Sequence, residues 1–102
     1  MNLIWHDRLY VGKLAGRCRR LIRRRLRQNR YLPGVFVITP ASGGHNILDI
    51  YPAWSLLQEY YENRQLLVIG IAVGYGEALS LAGKIIEDMY RETGGFCLED
   101  FL

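Results

Sequence analysis

The sequence predicts one α/β (α+β) domain, a two-layer sandwich in which about three helices pack on a sheet of three or four strands. Half of the 102 residues are apolar, which suffices for one core, and the chain is too short for two domains. Runs of β-branched and aromatic residues alternate with segments of helical periodicity. Glycine, proline and polar residues separate these segments, giving a single domain over residues 1–102 with the order (β)αββαβα.

The continuous apolar run at residues 66–73 is the best-defined strand. It has no alternating polar face, so we expect it to be central or covered on both sides. The Gly-Tyr-Gly turn at residues 74–76 leads into a helix with Glu77 in its first turn and Arg91 in its last, charges that match the helix dipole. Gly94 is placed to end this helix with a left-handed cap.

Two further strands are expected, and a third is left open. Residues 35–39 and 47–51 are rich in β-branched and aromatic side chains and form a hairpin. Residues 3–5 or 9–11 supply either a first strand or an apolar lead-in. With that strand, the element order matches the split β-α-β order of ferredoxin-like domains plus a C-terminal helix. Without it, a three-stranded sheet backed by helices fits equally well.

Two helical segments and the tail complete the chain. Pro52 suits the first turn of a helix over residues 52–63. The tail, residues 96–102, has four large apolar residues and is expected to dock on the body or on a neighbour. The first helix is predicted over residues 10–27, where apolar and basic residues fall on opposite sides at 100° per residue.

The basic side of this first helix is almost entirely arginine, and it is the most informative functional feature. Guanidinium groups match phosphate geometry in bidentate contacts, so the face predicts binding to a polyanion, with nucleic acid as the preferred partner. Such binding would be largely independent of base sequence. The expected binding residues are Arg17, Arg20, Arg23, Arg24 and Arg27.

The charge is unevenly distributed along the chain. Residues 1–48 contain ten Lys and Arg and one acid, a net +9, whereas residues 49–102 contain three basic residues and nine acids, a net −6. This asymmetry indicates a polyanion partner or an electrostatic match between halves or subunits. The alternative hypothesis is therefore a protein-interaction module or homo-oligomer whose basic helix pairs with acidic surface. The acids considered for that pairing are Glu59, Glu62, Glu87 and Asp88.

A third hypothesis is a small-ligand binder or enzyme that uses the loop after the residue 35–39 strand. Its glycines could form a backbone anion nest beside a titratable histidine, although an ordinary hairpin loop explains the same composition. No spacing specifies a catalytic constellation, so we expect a non-enzymatic protein. The loop residues concerned are Ser42, Gly43, Gly44 and His45.

Several other classes of function do not fit. A dinucleotide fingerprint fails because position 79 is leucine, and Glu77 places a carboxylate where a phosphate would sit, so no cofactor is expected. Cys18 and Cys97 are far apart and lack metal-ligand spacing, so we expect no metal site and a reducing, cytoplasmic location. No apolar run reaches the roughly 20 residues of a membrane span, and the N-terminus lacks a secretory-signal pattern.

Overall fold

The computed structural model describes residues 2–28, 30, 32–41, 47–57 and 65–102. Within these ranges the chain forms a four-stranded mixed sheet in the order β1-β4-β2-β3, together with three α-helices. The predicted class, an α+β domain with this succession of strands and helices, is confirmed. The strands are β1 (Asn2–Val11), β2 (Val35–Pro40), β3 (Leu48–Pro52) and β4 (Gln65–Val73). The helices are α1 (Arg19–Arg27), α2 (Tyr75–Thr93) and α3 (Leu98–Phe101), with 3-10 helices at Ala15–Cys18 and Ala53–Leu57.

Strand β4 lies in the middle of the sheet, as its continuous apolar run predicts. It pairs in parallel with β1 and antiparallel with β2. Its side chains pack on both faces of the sheet. Val68 belongs to the apolar cluster that contains α1, and Ile69 belongs to the apolar cluster that contains α2. Helices therefore cover both faces of the sheet, one layer more than the two-layer arrangement expected.

Each face of the sheet has its own apolar cluster. On the first face, Ile22 and Leu26 of α1 pack against the sheet together with Leu56 of the second 3-10 helix. On the second face, Ile85 and Met89 of α2 are fully buried. Phe101 of α3 is also buried there, so the tail docks on the body of the domain as predicted. α1 and α2 are thus on opposite sides of the molecule.

The boundary between the first strand and the first helix differs from the prediction. β1 runs as far as Val11, which pairs with Ile71, and regular α-helix begins only at Arg19. Helical periodicity over residues 10–27 suggested an earlier start, but Gly12 and Gly16 weaken a helix in this stretch. The intervening residues form a turn and a 3-10 helix instead.

Two other expectations need correction. β1 and β2 both flank β4 and run antiparallel to each other, whereas a split β-α-β unit joins parallel strands through its first helix, so the sheet is not ferredoxin-like. The helix predicted over residues 52–63 is, in its described part, the 3-10 helix Ala53–Leu57; residues 58–64 lie outside the described residues.

Candidate polyanion interface

Helix α1 presents a charged face to solvent. Six of its nine residues are arginine and none is acidic. Ile22 and Leu26 anchor the helix because both are buried against the sheet, which turns the opposite side outward. The buried apolar side and the exposed basic side thus follow from one helical periodicity, which is why the basic face can be predicted from the sequence.

The five predicted arginines all lie on α1 or on the 3-10 helix that precedes it. Four of them are exposed, and Arg23 is half-buried because its guanidinium carbon lies 4.9 Å from the centroid of the Trp5 ring. This distance permits a cation–π contact, which fixes one edge of the basic face on β1. The arginine surface, as defined here, comprises Arg17, Arg20, Arg23, Arg24 and Arg27.

An open depression of about 760 Å³ lies beside the start of α1. Three members of the arginine surface line it, and so does Arg19, which the sequence placed on the basic side of the helix but not among the binding residues. The sequence could not single out Arg19 as a first-turn residue, because the helix was predicted to begin at residue 10, whereas regular α-helix begins at Arg19 itself. The lining residues are Gly16, Arg17, Cys18, Arg19, Arg20, Leu21 and Arg23.

The two ends of α1 differ in their electrostatics. Arg24, Arg25 and Arg27 in the last turn complement the negative end of the helix dipole. Arg19 and Arg20 lie at the positive end, where no acidic residue is present and Cys18 makes no side-chain cap hydrogen bond. Positive side chains and the positive end of the helix dipole therefore lie together beside the depression, an arrangement that favours a bound anion.

Internal ion pairs among the described residues lie elsewhere. They join Arg8 to Glu92 at 3.0 Å, Arg91 to Asp88 at 2.6 Å and Lys84 to Asp88 at 3.7 Å. None involves the arginine surface. Glu59 and Glu62, two of the acids considered as partners for the basic helix, lie outside the described residues.

The Gly-Tyr-Gly junction is filled by the chain itself. The Glu77 carboxylate accepts hydrogen bonds from the backbone N–H groups of Val73 and Leu14, both at 2.6 Å, and from that of Ala15 at 3.4 Å. Burial raises the pKa of Glu77, but these three hydrogen bonds together outweigh it and hold the pKa below its ordinary value. The carboxylate thus lies at this junction, but it accepts its hydrogen bonds from the end of β4 and from residues 14 and 15 rather than from the first N–H groups of α2.

A buried carboxylate, that of Asp88 in α2, ties the helix to β1. The Tyr10 hydroxyl donates to Asp88 at 2.7 Å, and this hydrogen bond, with help from Lys84 and Arg91, lowers the pKa of Asp88. Burial, followed by the hydrogen bond to Asp88, raises the pKa of Tyr10 to about 12. No local pattern in the sequence indicates this pair, because its partners are 78 residues apart.

The remaining expectations concern the loop after β2, metal binding and a membrane span. Ser42, Gly43, Gly44 and His45 lie outside them. No group of three or more His, Cys, Asp or Glu side chains that could hold a metal ion occurs in the described ranges. No described helix is long and apolar enough to cross a membrane.

Comparison with protein-family models, curated proteins and solved structures finds no match to this chain. Its function therefore has to be inferred from the chemistry of its own residues.

Proposed function

We propose that this chain is a small, cytoplasmic, non-enzymatic protein whose arginine surface binds the phosphate backbone of nucleic acid. The observation that carries the proposal is an arginine-rich helix face that forms no ion pair with any described acid. Neighbouring arginines on α1 repel one another at i,i+3 and i,i+4 spacing, for example Arg20 with Arg24. A bound polyanion would relieve that repulsion.

Phosphate is the anion that fits these groups best. Each guanidinium can hold two oxygens of one phosphate, and α1 rises about 1.5 Å per residue, so Arg20 and Arg27 are about 10 Å apart along the axis. Two or more phosphates of one strand can therefore be contacted together. The depression beside Arg19 and Arg20 lies at the positive end of the α1 dipole, which adds to the attraction for an anion.

An exposed aromatic side chain on the same face of the sheet as α1 also favours nucleic acid. Trp54 is 46% exposed and belongs to the 3-10 helix on the same sheet face as α1. Proteins that bind single strands commonly combine a basic groove with aromatic rings on which bases stack. Trp54 could supply such stacking, whereas a protein partner recognised only by its acids would not need it.

Fluorescence anisotropy with mixed-sequence single-stranded and duplex oligonucleotides tests this function. The key variant replaces Arg20, Arg24 and Arg27 with Gln. A matched control replaces Arg8, Lys84 and Arg91 with Gln, which removes the same charge from the far side of the molecule. We expect the first variant to lose affinity at least about tenfold more than the control, because it removes direct phosphate contacts.

Salt dependence provides a second readout. Affinity falls as salt rises, and each phosphate contact makes that fall steeper. Loss of three contacts should make the slope of the logarithm of the association constant against the logarithm of the salt concentration less steep, by about 2.7 for duplex DNA or about 2.1 for single strands. The proposal is wrong if the unmodified protein does not bind at low salt, or if the two triple variants behave alike. Polyphosphate that competes as well as nucleic acid would show that the bases contribute nothing.

The alternative partner for the basic helix is acidic protein surface, including that of a second copy. The charge distribution supports it: residues 12–30 contain only basic charges, whereas residues 75–102 contain six acids and two basic residues. These segments lie on opposite faces of the sheet, so copies could stack with basic face against acidic face. Such stacking would form open chains that dissociate at high salt, which light scattering at low and high salt would detect.

A further inference from the structure

Helix α2 exposes an apolar stripe along one side. Tyr75, Leu79 and Tyr90 are 56%, 50% and 55% exposed. Beyond the end of the helix, Phe96 is 54% exposed and stacks on Tyr90 with the ring centroids 5.2 Å apart. At 100° per residue the stripe is about 100° wide and contains no charged residue. The α2 stripe comprises Tyr75, Leu79, Ala82, Gly83, Ile86 and Tyr90, of which Ala82 and Ile86 are partly buried against the core.

The residues of the α2 stripe are nearly symmetric in size and chemistry about the middle of the stripe. Its midpoint falls between Ala82 and Gly83. Leu79 and Ile86 are equally far from that midpoint, and so are the two tyrosines. If a second α2 lies antiparallel across a twofold axis at the midpoint, each large side chain therefore meets a large one of similar chemistry. Such self-complementarity is what a twofold, isologous interface requires.

We propose that the α2 stripe binds a second copy of this chain, forming an antiparallel helix pair across a twofold axis. The stripe consists of two rows at i,i+4 spacing, one through Leu79 and Gly83 and one through Ala82 and Ile86. The axis exchanges these rows, so each row of one copy packs beside the equivalent row of the other, a geometry that favours a crossing angle near −50°. The small residues at the crossing point allow the two helices to approach closely.

The exposed area is appropriate for a reversible dimer. Tyr75, Leu79 and Tyr90 of the stripe and the adjoining Phe96 are each about half exposed. Together they offer roughly 400 Å² per protomer, the size of patch that marks interaction sites on soluble proteins. Two protomers would bury about 800 Å², within the class of weak, transient interfaces. We therefore expect a dimer that dissociates at micromolar concentration.

The surrounding charges are compatible with this pairing. Lys84, Glu87 and Arg91 lie on the other exposed side of α2, so no like charges are forced together at the axis. The arginine surface lies on the opposite face of the sheet and remains free in the dimer. Pairing through the α2 stripe is therefore independent of the proposed nucleic-acid function.

Sedimentation equilibrium from about 1 to 500 μM, which covers the range where weak interfaces dissociate, tests self-association. Leu79→Glu should raise the dissociation constant at least about tenfold, because it buries an unpaired charge at the interface. Ser80→Glu is the matched control: it adds the same charge one residue away, outside the stripe, and should leave the dimer intact. Circular dichroism verifies that both variants fold.

Cysteine crosslinking tests the direction of the pair. In a Cys18→Ala, Cys97→Ser background, a mixture of the Leu79→Cys and Ile86→Cys variants should form mixed disulfides on mild oxidation. The Leu79→Cys variant alone should not crosslink, because its two copies would be about 10 Å apart along the helix axes. A protein that is monomeric throughout the concentration range, a dimer insensitive to Leu79→Glu, or crosslinking of Leu79→Cys with itself would each overturn the proposal.

Discussion

The carboxylate of Glu77, in the first turn of α2, accepts a 2.6 Å hydrogen bond from the backbone N–H of Leu14, 63 residues earlier in the chain. The same carboxylate also binds the N–H groups of Ala15 and Val73. It therefore joins the end of β4 to the turn that leads into α1. The position of the arginine surface depends in part on a side chain from the other half of the sequence.

Glu77 should stabilise the fold in a pH-dependent way. Its pKa is lower in the folded protein than the ordinary 4.5, so its contribution is complete above that pH and is lost as the pH falls through the folded pKa. Glu77→Gln should lower the free energy of unfolding by about 1–2 kcal/mol at pH 7, since hydrogen bonds to a charged acceptor become neutral ones.

Urea denaturation at pH 7, 5 and 3 measures the effect of Glu77→Gln. The difference from the unmodified protein should shrink below pH 4.5, because the unfolded chain binds a proton at Glu77 there more readily than the folded protein does. Glu87→Gln, an exposed position on the same helix, is the control and should have little effect. A Glu77→Gln penalty that stays constant from pH 7 to pH 3 would contradict this role for the carboxylate.

Gly12 should be intolerant of alanine because of Glu77. A Cβ at position 12 would overlap the Glu77 side chain, which its three hydrogen bonds hold in place. We expect Gly12→Ala to destabilise the protein by about 1–3 kcal/mol, the usual cost of overpacking. In a Glu77→Ala background the overlap is gone, so Gly12→Ala should then cost little. A double-mutant cycle by urea denaturation measures this, and purely additive effects would refute it.

The hydrogen bond from Tyr10 to Asp88 should stabilise the fold up to alkaline pH. The pKa of Tyr10 is raised from 10.0 to about 12, so its contribution is complete below pH 10 and is lost as the pH rises toward 12. Tyr10→Phe should lower the free energy of unfolding by about 1 kcal/mol at pH 7. It should also flatten the decline in stability between pH 10 and 12, whereas Tyr75→Phe at an exposed site should not. Equal alkaline profiles for the unmodified protein and Tyr10→Phe would exclude this role.

Local patterns in the sequence account for much of this fold. The apolar run of β4 predicted a central strand, and Gly94 caps α2 in the left-handed conformation with φ 74°, as expected. The border between β1 and α1 was misjudged because Tyr10 and Val11 satisfy the helical pattern as well as the strand pattern. Pairing with β4 decides between the two, and a helical periodicity contains no information about a partner 60 residues away.

In the candidate site, too, some features follow from local sequence patterns and others depend on tertiary contacts. Exposed arginines on one side of a helix are a local pattern, so the sequence suffices to name them. Which acids face them is a tertiary property: Asp88, considered as a partner, instead binds Tyr10 and Arg91. The position of Arg23 over Trp5 is likewise invisible before β1 and α1 are packed together.

That contact makes Trp5 a reporter for the arginine surface. Its indole Nε1 is buried and has no hydrogen-bond partner in the described part of the chain. The guanidinium carbon of Arg23 lies 4.9 Å from the centroid of the ring. A phosphate that binds Arg23 should draw the guanidinium away from the ring and change the fluorescence of the indole. The chain has two tryptophans, so the Trp54→Phe variant isolates this signal.

Titration of the Trp54→Phe variant with polyphosphate, which has no bases to stack, should therefore change the Trp5 emission in a salt-sensitive manner. Arg23→Gln in the same background should abolish the change, while Arg8→Gln, which removes an equal charge from an exposed pair with Glu92, should preserve it. If polyphosphate binds by anisotropy competition but leaves Trp5 emission unaltered, Arg23 does not take part in the contact. The phosphate-binding residues would then be confined to the outer members of the surface, Arg17, Arg20, Arg24 and Arg27.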